Sequence, residues 1–176
     1  METIWFDDKL AGLDFADAVL RLGLELLCGL VVGIDRELRN KPAGMRTHML
    51  VSLAAASFTL ISFDFHHRLL AQGNDSTDPI RALEAVVAGV AFLGAGTIIQ
   101  ARRKVSGVTT GAGIWMAGAI GLACGGGLYA IALTLTAAIL VVVTLLGFVE
   151  AWFERHARKT AGGGESERDD PTRIPR

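Results

Sequence analysis

From residue 15 to residue 153 the chain alternates long apolar stretches with short polar breaks, and that alternation predicts membrane helices. Segments such as AVVAGVAFLGAGTII (85–99) and IALTLTAAILVVVTLLGFV (131–149) are too long and too uncharged to be the apolar stripe of a water-exposed helix. About 20 apolar residues at a rise of roughly 1.5 Å cover the ~30 Å hydrocarbon slab of a bilayer. No water reaches the backbone there, so each stretch must close its hydrogen bonds internally as a helix. The pattern predicts spans over 15–34, 49–65 and 80–100, then a stretch from 105 to 153 too long for one crossing. Gly125-Gly126-Gly127 divides it by favouring a tight turn, giving a fourth span that ends near Cys124 and a fifth over 128–149. Asp78-Pro79 supplies an N-cap and a proline at the first helical position for the third span.

The expected fold class is all-α, a polytopic membrane helix bundle of about five transmembrane helices. Its orientation follows from the basic residues. Arg36, Arg39, Lys41 and Arg46 lie in the first connection, Arg102, Arg103 and Lys104 in the third, and Arg155, Arg158 and Lys159 follow the last span. Only Lys9, Arg68 and Arg81 fall on the opposite side. The positive-inside tendency then sets the N-terminus outside and the C-terminus in the cytoplasm. The chain divides into a periplasmic N-terminal segment (1–14), a transmembrane domain (15–153) and a flexible, glycine-rich and charged cytoplasmic tail (154–176). The acidic N-terminus lacks the features of a cleaved signal peptide, so the first apolar segment is expected to stay as a helix.

Glycine changes the picture further. Most of the 21 glycines fall inside the apolar stretches, where small residues let helix backbones approach closely. Gly113, Ala117, Gly121 and Gly125 repeat every four residues and predict a packing ridge; Gly29, Gly33, Gly94 and Gly96 are further candidates. Gly94-Ala95-Gly96 lacks both the final glycine and the preceding strand of a dinucleotide fingerprint, so a nucleotide site is rejected. Cys28 and Cys124 are expected as buried thiols at different membrane depths, with no disulfide framework.

Charge inside a span is costly and leans toward function, about 3 kcal/mol at mid-membrane even on the lenient insertion scale. Asp17, Arg21 and Glu25 are each four residues from the next and stack on one helix face, where Arg21 can pair with either carboxylate. The same stripe continues to Gly29 and Gly33, and Glu84 of the third span is expected to reach Arg21. Such a cluster reads either as a proton or cation site, with Glu25 and Glu84 as candidate Mg²⁺ ligands, or as an ion-pair network that fixes helix register. No motif implies a resident cofactor or a nucleic-acid partner. Ser106, Thr109, Thr110 and His48 offer hydroxyls and an imidazole, but nothing arranges a nucleophile, a base and an orienter, so a non-enzymatic role is expected.

The segment GIDRELRNKPAGMRTH (33–48) holds acids among its arginines and a Lys-Pro-Ala-Gly turn, more than a membrane anchor requires. GIDRE (33–37) and KPAGMRTH (41–48), followed in order by FLGAGTI (92–98) and GVTTGAGIW (107–115), resemble the membrane domain of the MgtC/SapB family over about 20–148. Asp35 stands where that family often has Glu, and Gly111 where it often has Ala; the short tail is not expected to form the soluble C-terminal domain that the founding members carry. The resemblance implies a role in adaptation to low Mg²⁺ and to acid or other stress. It implies either a regulator of another membrane complex, such as the proton-translocating ATP synthase, or a Mg²⁺ or proton transporter; five helices with no visible inverted repeat make a poor transporter alone, but a homo-oligomer could enclose a pathway. It also marks Asp35, Arg36, Glu37, Lys41, Pro42, Gly44, Arg46, Thr47 and the 94–98 segment as functional positions.

Overall fold

The computed structural model describes residues 9–10, 13–74, 76–101 and 104–162. Residues 1–8, Arg102, Arg103 and the end of the tail from 163 lie outside them, as do the side chains of Arg155, Arg158 and Lys159. The described elements are a short antiparallel pair, β1 (Lys9–Leu10) and β2 (Leu13–Asp14), then α1 (Phe15–Leu38), α2 (Met45–Ala71) and α3 (Pro79–Ala95). A second hairpin, β3 (Ile99–Ala101) and β4 (Lys104–Ser106), leads to α4 (Val108–Gly125) and α5 (Tyr129–Gly162). The fold is an all-α bundle of five helices.

Local chemistry sets the helix ends. Asp78 accepts a hydrogen bond from the Ile80 N–H at 2.9 Å, and Pro79 opens α3. α4 stops at the glycine triplet, where Gly127 takes a positive φ of 74° that a side chain disfavours. α3 ends at Ala95, short of the expected 100, because Gly94 and Gly96 weaken its last turn and Thr97 Oγ donates to the Gly94 carbonyl at 2.7 Å. The chain then forms the β3–β4 hairpin instead of a further turn of helix, with Ile99 opposite Ser106. α1 and α2 are longer than their predicted spans, so GIDRE is the last turn of α1 and not a loop. Helix α5 runs on through residues 154–162.

Two compact units divide the chain, 1–139 and 140–176; the described part of the second is the remainder of α5. In the first unit α1, α2 and α4 pack on one another, and α3 packs on α2 and α4. Backbones come close wherever glycine allows. A Cβ added to Gly29 would lie 3.1 Å from Met49 Cα, and one on Gly33 only 2.5 Å from Met45 Cα. On α4 a Cβ at Gly121 would collide with the Ser52 carbonyl, and one at Gly125 would lie 2.7 Å from the Ala56 carbonyl. Ala117 is buried in the same ridge, clustered with Val51 of α2 and Val90 of α3. Gly96 is the exception: it is exposed, and the nearest atoms to an added Cβ are carbonyls of its own helix. It ends α3 and packs against no neighbouring helix.

Large apolar side chains point outward along every helix, among them Leu27, Phe58, Phe92, Trp115 and Leu133. An outward apolar shell around a small-residue interior is the arrangement a lipid solvent selects. Helices α2, α4 and the 129–149 part of α5 are long and apolar enough to cross a membrane. α1 carries three charges in its first half, and α3 has 17 residues, so neither qualifies on length and composition alone.

Candidate functional site

Each of the four motif segments comes to the same end of the bundle, where α1 runs into α2 and α3 hands over to α4. Arg36, on the last turn of α1, is 2% exposed, and its Nη2 donates to Thr110 Oγ at 3.2 Å on the first turn of α4. Glu37, one residue on, turns toward α2: its Oε2 accepts from the Met45 N–H at 3.0 Å and caps that helix from outside. Gly44 is the N-cap residue, and a Cβ there would overlap the Glu37 carboxylate. Asp35 pairs with Arg39 at 3.0 Å one turn away. Lys41 and Pro42 form a divide between two cavities, one lined further by Asn40, Arg46 and Thr47, the other by Arg36, Thr97 and the start of α4.

The α3–α4 segments close this end. Gly107 has φ 87°, and a Cβ on it would collide with the Thr97 carbonyl. Both facts demand glycine. Gly94 and Gly111 meet backbone to backbone, with an added Cβ on Gly111 only 2.7 Å from the Gly94 carbonyl. His48 is fully buried; its Nδ1 donates to the Gly44 carbonyl at 3.0 Å, and its Nε2 faces Gly113 with no partner among the described residues. His48, Gly107, Thr110 and Gly111 are residues that sequence reasoning left without a site role. Each lies inside one of the quoted motifs, which was the available signal.

The intramembrane cluster assembles differently from its expectation. Arg21 sits 3.6 Å from Asp17, but its stronger contact is the Gly125 carbonyl at 2.9 Å, and its guanidinium lies against Gly127. Arg21 thus caps the C-terminus of α4, where a cation meets both the dipole and an unsatisfied carbonyl. Glu84 does not join it. α3 leans on α2 and α4, not on α1, and Glu84 is exposed. The four-member cluster therefore does not form in one protomer, and Glu25 and Glu84 do not share a site. Glu25 is fully buried, and neither carboxylate oxygen has a hydrogen-bond partner among the described residues.

The two thiols also correct an expectation. Cys124 sits beside Cys28 and Glu25, so the cysteines share one depth, as free thiols. The reason is the crossing of the helices: Gly29 of α1 and Gly121 of α4 both press on Ser52 of α2, which brings their levels together. Ser52 itself donates to the His48 carbonyl at 2.7 Å. Among the described residues no group of three His, Cys, Asp or Glu is placed to hold a metal ion.

Comparison with known proteins agrees with the motif geometry. The MgtC family profile matches residues 22–152, which takes in all four segments. Protein SapB of Bacillus subtilis is 37% identical over 134 residues, 76% of this chain and 58% of that protein. YhiD of Escherichia coli K12, named as a candidate magnesium transporter, is 37% identical over 114 residues, 65% of this chain and 53% of its own. Protein MgtC of Brucella abortus (strain 2308) is 38% identical over 120 residues, 68% of this chain and 47% of its own. The chain thus matches only about half the length of these curated relatives. No solved structure matches it. With the family profile and several relatives covering the segments that build the motif end, the chain belongs to the MgtC family of membrane proteins.

Proposed function

We propose that this chain is a non-enzymatic inner-membrane modulator that supports adaptation to low magnesium and to acid or other stress by acting on another membrane complex. In this reading α1 to α5 all cross the membrane, the N-terminus is outside, and the motif end faces the cytoplasm. One observation carries it: the charged and polar residues of four separated segments are gathered at one end, tied into one another, and not strung through the bundle. Asp35, Arg36, Glu37 and His48 each take a partner at that end. Such a rigid polar end suits recognition of a partner's cytoplasmic or juxtamembrane surface, and the proton-translocating ATP synthase is one complex of that kind. The test is site-specific photocrosslinking in living cells from exposed positions Leu50 and Trp115. A discrete heterologous adduct is expected; recovery of the chain crosslinked only to itself contradicts the reading.

A second reading is favoured by Glu25, a buried carboxyl without a partner among the described residues, and by the name of YhiD. Here the chain is a subunit of a Mg²⁺ or proton transporter, and a homo-oligomer supplies the pathway. Flux into liposomes carrying purified protein decides it: transport that Glu25→Gln abolishes supports this reading, and flux no greater than in empty liposomes removes it.

A further inference from the structure

Arg36 is buried at the motif end with no ion pair to any described residue, an arrangement that ordinarily costs several kcal/mol unless something else satisfies the charge. Its Nη2 uses Thr110, but its Nε has no hydrogen-bond partner among the described residues. The side chain lines a cavity of about 410 Å³ whose wall also holds Lys41, Thr97, Ser106, Thr109 and Thr110. Two cationic and four hydroxyl-bearing residues line one space, the Thr97 hydroxyl donating to the Gly94 carbonyl and that of Thr110 accepting from Arg36, and no carboxylate is among the described residues that line it. The acids close by have hydrogen-bond partners of their own, Asp35 in Arg39 and Glu37 at the start of α2, and Asp35 offsets the Arg36 charge only across space.

The first turn of α4 adds to this field. Gly107, its N-cap, lines the same cavity and provides no side-chain cap for the turn's N–H groups. Those groups carry the positive end of an 18-residue helix. A guanidinium fork, an ammonium, hydroxyls and a helix N-terminus supplied by separate segments suit a tetrahedral, multiply charged oxyanion better than a flat carboxylate. The volume exceeds that of a bare inorganic ion and falls in the range of small-molecule sites.

We propose that this cavity binds a phosphoryl group, carried by a phosphorylated small molecule or by an anionic lipid headgroup, with Arg36, Lys41 and the first turn of α4 as its ligands. The site is independent of the modulator reading, because it is read on purified protein and not in cells. The full chain, purified in detergent without phosphate, is titrated with inorganic phosphate by calorimetry at constant ionic strength, with chloride as control. In parallel, protein reconstituted in phosphatidylglycerol nanodiscs is released into native mass spectrometry to count retained lipid.

Saturable phosphate binding that Lys41→Gln and Thr109→Val each weaken about tenfold is the expected result, the loss of one charge-assisted or hydroxyl contact. Both positions are exposed, so either change is expected to leave the fold in place. Arg36→Lys, which keeps the charge and loses the fork, is expected to weaken binding further; should it fail to fold, the other two variants still decide. Phosphate binding without retained phosphatidylglycerol assigns a soluble ligand. Retention of phosphatidylglycerol that falls in Lys41→Gln assigns the headgroup. No saturable binding of either, a phosphate signal matched by chloride, or affinities unchanged in the variants would overturn the proposal.

Discussion

The two ends of the α1–α2–α4 core solve the same problem in opposite ways. At the motif end Arg36 and Glu37 find partners on other segments, Thr110 of α4 and the Met45 N–H of α2, while His48 holds the Gly44 carbonyl one turn back on its own. At the other end, Arg21 also reaches across, to the Gly125 carbonyl, but Asp17 stays with its own helix and Glu25 lies beside the Cys124 thiol with neither oxygen hydrogen-bonded among the described residues. Charges at the motif end knit segments together and surround two cavities; charges at the far end finish a helix. A buried charge is thus no guide to function until its partner is known.

Substitutions can test that contrast. The largest effect is expected at Gly107, where any side chain meets both a positive φ and the Thr97 carbonyl. A left-handed backbone alone costs a non-glycine residue roughly 1–2 kcal/mol, and the collision adds to it. Gly107→Ala should lose most of the folded protein by fluorescence-detected size exclusion, while Gly96→Ala should keep it. Equal yields would mean that the α3–α4 closure is not needed to hold the motif end.

Next comes Arg21. Arg21→Leu removes a charge-assisted bond to the α4 C-terminus and should lower stability by about 2 kcal/mol in a denaturation series. Asp17→Asn, which breaks only a half-exposed pair at 3.6 Å, should cost under about 1 kcal/mol. If the two match, Arg21 serves the ion pair and not the helix end. Glu37→Ala uncaps α2 and should cost about 1 kcal/mol by the same measurement, with Glu37→Gln recovering part of it. Glu84→Ala, at an exposed site, should stay within about 0.5 kcal/mol of the parent.

Much of this architecture was readable from residues alone. Asp78-Pro79 and the glycine triplet mark helix boundaries by local chemistry, and the structure places ends at both. The every-fourth small residues of α4 lie against α2 because close backbone approach admits nothing larger. What sequence could not give was which helices touch. Glu84 runs in a helix expected parallel to α1, but direction says nothing of adjacency, and α3 sits across α2 and α4. Likewise counting residues from each helix start set Cys28 and Cys124 apart, whereas the crossing at Ser52 joins them. The basic residues near 36–46 do not say where the helix stops; α1 carries its motif to Leu38.

The most direct test of the account is growth of a deletion strain in limiting Mg²⁺, complemented by variants from each region at equal membrane levels. Asp35→Ala and Arg46→Ala at the motif end should fail to restore growth, while Glu25→Gln should restore it fully. Full rescue by both motif-end variants together with failure of Glu25→Gln would contradict the account and move function into the membrane interior.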